Sequence, residues 1–189
     1  MDSSQLALVG ILVVLLVAAL VVIASVRKKK SHALAEKFGP EYDHTLAARG
    51  RKTKAEKELE ERERRVSELH IRSLTSAERH RFAELWRVAQ ERFVDSPAIA
   101  VAEVNELVSE VMRVRGYPMA DFDTRAADVS VDHPQVVANY RAAHAHAVRS
   151  REGQSSTEDL RQAMVHYRAL FEELLATPVE EPEGELVHH

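Results

Sequence analysis

From Leu6 to Val26 the chain reads LALVGILVVLLVAALVVIASV, twenty-one residues without a charge. At about 1.5 Å per residue a helix of this length spans roughly the 30 Å hydrocarbon layer of a bilayer. A core helix of a small soluble domain is rarely apolar on every face for so long. The flanks separate a retained anchor from a cleaved signal peptide. A signal peptide has its cations before a shorter apolar core, whereas here Asp2 precedes the run and Arg27, Lys28, Lys29 and Lys30 follow it. The expectation is therefore a retained transmembrane helix, residues 6–26, with export after signal cleavage as the lesser alternative. Cations flanking a span stay on the cytoplasmic side. That places residues 1–5 outside and the rest of the chain in the cytoplasm. The same four cations are a candidate lipid-facing cluster, although four is the low end for dedicated recognition of anionic headgroups.

Residues 27–72 form a polar connector interrupted by Gly39, Pro40 and Gly50, which predict helix ends near Phe38 and Arg49. A longer helix follows from Arg51 to Ile71, with Glu58, Glu60 and Glu61 each four residues before an Arg. Its apolar seam, Leu59, Val66 and Leu69, is interrupted by Arg62, which predicts a solvated stalk, or else a partly polar coiled coil. This region carries 14 Lys and Arg against 9 Asp and Glu, a net of +5, while residues 73–189 carry a net of −8. Basic charge next to the span and an acidic body beyond it suit an anionic membrane surface.

A helical bundle is expected over residues 73–176. Thr75 and Glu78 form a capping box ahead of a helix whose apolar face is Phe82, Leu85, Trp86, Ala89 and Phe93. Pro97 opens the next helix, which buries Val101, Val104, Leu107, Val108, Val111 and Met112 and stops at Gly116. A short helix is predicted around Asp121 to Asp128, then one capped by Asp132 with Val136, Val137, Tyr140, His144 and Ala147 on one face. Gly153 ends that helix, and Ser155 with Glu158 predicts a second capping box before a seam of Leu160, Met164, Tyr167, Phe171 and Leu174. The acidic tail, 177–189, reads as disordered. With no alternating strand pattern the fold class is all-α: an N-terminal transmembrane helix, a charged stalk and a small bundle.

Chemistry is sparse. There is no Cys, which excludes disulfides and thiolate sites, and no Gly-x-Ser-x-Gly elbow or Gly-rich phosphate loop. Glu41 and His44 have the Glu-x-x-His spacing of di-iron bundles, but the required second copy is missing. His144 and His146 point about 200° apart around a helix and cannot share a metal. No metal, no cofactor and no catalytic residue is therefore expected, and the chain reads as non-enzymatic. Nucleic-acid binding is disfavoured because five Glu alternate with the eight Lys and Arg between Arg49 and Arg65. Two stretches without helical regularity are the candidate partner-binding sites. One is FGPEYD, with Phe38, Pro40, Glu41, Tyr42 and Asp43; the other is RAADVSVDHP, with Arg125, Asp128, Asp132 and His133.

At SHALAEKFGPEYDHTL, RFVDSPAIAVAEVNELVSEVMRVRGYP, RAADVSVDHPQVVANYRAAH and TEDLRQAMVHYRALFEELL the chain resembles a family of uncharacterised bacterial proteins frequent in actinobacteria. The resemblance covers nearly everything from Ser31 to Leu175. It implies a small helical protein, often with an N-terminal apolar segment and variously membrane-bound or secreted, and it implies no activity. The expectation is thus a membrane-anchored adaptor or scaffold with an unidentified protein partner, homo-oligomerisation being left open. A sensor of anionic lipid or of the envelope through the basic juxtamembrane segment is the alternative, and an exported helical binding domain the third reading.

Overall fold

The computed structural model describes residues 3–176, with side chains for residue 12 and from residue 15 onward. All its regular elements are helices: α1 Ser3–Phe38, α2 Pro40–Arg49, α3 Lys52–Ser67, α4 Ser76–Asp95, α5 Pro97–Arg115, α6 Phe122–Asp132, α7 Val137–Arg151 and α8 Thr157–Ala176. The all-α expectation holds among the described residues; the predicted tail, 177–189, lies outside them.

Four helices, α4, α5, α7 and α8, pack around the main core, with α5 at its centre. The reason is in the sequence of α5, which is apolar over more than one face: Val101, Val104, Leu107, Val108, Val111 and Met112 are all buried, as the periodicity predicts. Trp86 of α4 stacks on Phe171 of α8 with ring centroids 4.7 Å apart. Two polar ties join α5 to α8 within this core: the Tyr167 hydroxyl donates to Asn105 Oδ1 at 2.7 Å, and Arg115 Nη1 donates to Leu174 O at 2.7 Å. Leu85 departs from expectation: it is 44% exposed, because the face of α4 that meets the core is carried by Phe82, Trp86 and Ala89.

A second, smaller core holds Leu34, Phe38, Tyr42, Leu59, Val66 and Val131. It joins the C-terminal end of α1 to α2, α3 and α6, so α3 is not the solvated stalk that its charges suggested. Ala55 and Leu59 are fully covered. The helix is also shorter than predicted. After Ser67 the Glu68 N–H turns back to Arg65 O and the Leu69 N–H to Val66 O, and the chain leaves the helix to run beside the end of α5, where the Arg72 N–H donates to Arg115 O at 2.8 Å.

The Thr75–Glu78 box is present with both of its hydrogen bonds, and Pro97 and Gly116 open and close α5. The box before α8 sits one residue later than expected, between Ser156 and Asp159. Asp132 does not cap α7; it ends α6 and accepts the Tyr117 hydroxyl at 2.8 Å, while Val136 occupies the N-cap. Helix α6 runs four residues beyond its predicted end, because Ala126, Val129 and Val131 bury its far half.

Among the described residues no helix is long and apolar enough to cross a membrane. The part of the uncharged run over which side chains are described without a gap, 15–26, covers about 18 Å of helix before Arg27 begins.

Gly116 combines φ +102° with a Cβ position that would fall on the His70 carbonyl, whereas Gly50, φ +65°, has open space around it. Gly116→Ala should cost well over the ~1 kcal/mol expected for Gly50→Ala, as read from urea unfolding midpoints; equal losses would contradict this packing of the 68–75 segment on α5.

Candidate functional site

The charged residues of α2 and α3 converge on one carboxylate. Glu41, in the first turn of α2, has its side chain 1% exposed. Its Oε1 accepts from Arg62 Nη1 of α3 at 2.7 Å and from Arg141 Nη2 of α7 at 2.8 Å, and its Oε2 accepts from Arg141 Nη1 at 2.6 Å. Burial alone would push the Glu41 carboxyl up; the two guanidiniums more than offset this and hold it below the ordinary carboxylate range. Arg62 also pairs with Glu58, which Arg49 pairs in turn. Beside this cluster Arg65 does not pair with Glu61 as expected from spacing. It reaches across to the buried Asp128 of α6 instead, with Nε to Oδ1 at 2.8 Å.

An open groove of about 460 Å³ lies over the cluster, between α2, α3, α6 and α7. Arg49, Arg65 and Arg141 line it, interleaved with Glu58, Glu61 and Asp123, and the named arginines already hold carboxylate partners. Such a surface ties helices together and has little charge left over for an anionic ligand. Glu41 and His44 approach to 3.8 Å, and among the described residues no group of three His, Asp or Glu could hold a metal ion.

The candidate partner-binding residues do not form one surface. Phe38, Glu41, Tyr42, Asp128 and His133 are buried; Pro40, Asp43 and Asp132 are exposed; Arg125 is half-buried and donates to Ser109 Oγ at 3.1 Å. Neither stretch is an irregular loop. FGPEYD is a one-residue helix break at Gly39, and RAADVSVD is helical, because its alanines and valines face the cores. Arg27 to Lys30, by contrast, are all exposed on α1. Sequence reasoning missed Arg141, the residue after Tyr140 and 100 residues from Glu41; the only signal was Arg62 in an apolar seam, which demands a buried counter-charge. A separate shallow cleft of about 180 Å³ between α4 and α8 is lined by Trp86, Phe93, Met164 and Val165.

His133 is also buried, with Nδ1 3.2 Å from Glu173 Oε1. Burial depresses its pKa, and Arg115 adds to this, against the opposing pull of Glu173.

Comparison with protein-family models, curated proteins and solved structures finds no match to this chain. The functional reading therefore rests on its residues and their placement.

Removing Glu41 leaves buried Arg62 with Glu58 alone and takes the carboxylate from Arg141, so Glu41→Leu should cost about 3–5 kcal/mol, whereas Glu41→Leu combined with Arg62→Met and Arg141→Leu should recover most of it. Urea unfolding of the wild type, the single variant and the triple variant gives the comparison; a triple variant no more stable than Glu41→Leu would contradict the network. Stability should also respond to pH in two steps. The native state binds a proton at His133 more weakly than the unfolded chain, so stability is level above the ordinary value of 6.5 and falls as pH drops below it. The Glu41 contribution is present above 4.5 and is lost as pH falls through its lower folded value. In His133→Gln the loss between about pH 7.5 and 5.5 should shrink; an unchanged loss would remove His133 from this account.

Proposed function

We propose that this chain is a single-pass, membrane-anchored helical protein that acts as a non-catalytic adaptor or scaffold on the cytoplasmic face of a bacterial membrane. The observation that carries this reading is the exposure of α1. Leu20, Val21, Val22 and Ile23 are 56%, 59%, 61% and 48% exposed. Four consecutive helical positions, 100° apart, cover the whole circumference, so no single protein partner laid along one side would cover them. Leu15, Leu16 and Val17 repeat the pattern one turn earlier. An apolar surface on every side of a helix calls for an apolar solvent, and the uncharged sequence from Leu6 to Val26 has the length of a bilayer span. The four cations that follow favour the cytoplasmic side for the domain.

The adaptor reading draws on how the domain is mounted. Helix α1 is unbroken from the apolar run to Phe38, and Leu34 and Phe38 are held in the second core. From Val26 to Phe38 is about 18 Å of helix, a short stiff strut that would fix both the height and the orientation of the bundle. The exposed Leu85, Val88 and Val94 of α4 and the cleft between α4 and α8 offer apolar area to a protein partner. The second reading, a sensor of anionic lipid, is favoured by Arg27, Lys28 and Lys29, which have no ion-pair partner among the described residues, in contrast to the paired Lys30.

The full chain should stay in the membrane fraction through alkaline carbonate washing, and a reporter fused after Leu175 should give cytoplasmic fluorescence. Leu16→Arg, at the middle of the run, should disfavour insertion by about 3 kcal/mol and move a large share of the chain to the wash. A chain released by carbonate without any substitution, or alkaline phosphatase activity from the fusion, would overturn the anchor or its orientation respectively.

A further inference from the structure

The turn between α2 and α3 is the most basic exposed corner outside α1. Arg49, Arg51, Lys52 and Lys54 are all exposed, and no carboxylate occurs between residues 44 and 55. Arg49 and Lys52 lean on Glu58 and Glu56, whereas Arg51 and Lys54 have no ion-pair partner among the described residues. The position of this turn follows from two ion pairs between α1 and α3. Lys30 pairs with Glu60 at 2.8 Å and Lys37 with Glu63 at 2.5 Å. The pairs run in the same order along both helices, so α3 points its N-terminal end toward the side from which α1 arrives. From Glu60 back to Lys52 is eight residues, about 12 Å of helix. Even with α3 inclined to α1, that length brings the turn back toward the level of Arg27 to Lys30.

We infer that the α2–α3 turn is a second contact with anionic lipid headgroups, which works together with the cations that end the apolar run. The inference rests on the membrane-anchored reading of α1. Alone, the Arg27–Lys30 cluster is at the low end of what recognises anionic headgroups; with Arg51, Lys52 and Lys54 the surface holds seven cations, well inside the range of four to eight. No carboxylate lies between residues 27 and 35 either; Lys30 and Lys52 face Glu60 and Glu56, and Arg27, Lys28, Lys29, Arg51 and Lys54 are the cations of this surface without an ion-pair partner among the described residues. A two-point contact would hold the bundle against the bilayer at a fixed tilt. It would be sensitive to lipid charge even though the anchor itself is not.

The chain has no cysteine, so a single label can be placed at will. The full-length protein with Thr53→Cys carries an environment-sensitive fluorophore and is reconstituted in nanodiscs of phosphatidylcholine, or of phosphatidylcholine with about one third phosphatidylglycerol, each containing headgroup-depth quencher lipid. A parallel label at Ser67→Cys sits at the other end of α3, about 21 Å away. Quenching at position 53 should rise on adding phosphatidylglycerol, and quenching at position 67 should not. Arg51→Gln with Lys54→Gln should lower the docked-to-undocked ratio about thirty-fold, roughly fivefold per cation, and about 1 M salt should abolish the contact. Both arginine and lysine are exposed and unpaired, so these substitutions leave the fold intact. Equal quenching at position 53 in the two discs, with the chain inserted in both, would overturn the second contact and leave the anchor standing. A chain that enters neither disc would remove the anchor and this inference together.

Discussion

The carboxylate of Glu41 is the point on which the arrangement of this molecule turns. It lies in the first turn of α2, receives Arg62 from α3 and Arg141 from α7, and is closed off from solvent. A buried carboxylate between two guanidiniums is weak evidence for net stability, since apolar residues of similar volume can do as well. Its consequence is specificity. Only one register of α2 against α3, and one docking of that pair on the bundle, satisfies all three groups at once. The Arg65–Asp128 pair and the packing of Phe38 and Leu59 near Val131 reinforce the same docking from the side of α6.

That docking determines what α1 can transmit. A helix that carries an apolar run into a flexible linker would leave the bundle free to tumble. Here the same helix continues to Phe38 and ends inside a core, and the break at Gly39 is a single residue. The acidic bundle, the basic corner of α2 and α3 and the cations of α1 are then parts of one body. Charge is sorted along it, basic near the apolar run and acidic beyond.

Most of the bundle was legible in the sequence because its signals are local. The Thr75–Glu78 box, Pro97 at the start of α5, Gly116 at its end and the six apolar positions of α5 each depend on one helix and its own caps. What failed was whatever depends on a second helix. Arg62 looked like a reason to leave α3 in water, because the buried carboxylate that neutralises it, Glu41, lies on α2, outside any window of periodicity. Asp132 looked like a cap for α7 and instead meets Tyr117, fifteen residues earlier. Ser155 and Glu158 have the right spacing for a capping box, but Ser156 and Asp159 have it too, and the second pair forms the box. Phe38 and Tyr42, which flank the helix break at Gly39, and Asp128, which meets Arg65 from within α6, stand out in the sequence but are buried where helices pack together.

Amide hydrogen exchange on the full chain addresses the central claim most directly, since it reads α3 and α5 side by side. If Glu41 locks α2 and α3 onto the bundle, amides around Leu59 and Arg62 open only with the domain and are protected to a degree comparable with those around Val104 and Val108. Rapid exchange through α3 while α5 stays protected would mean that α3 is a solvated stalk after all, and the rigid mounting of the domain would fall with it.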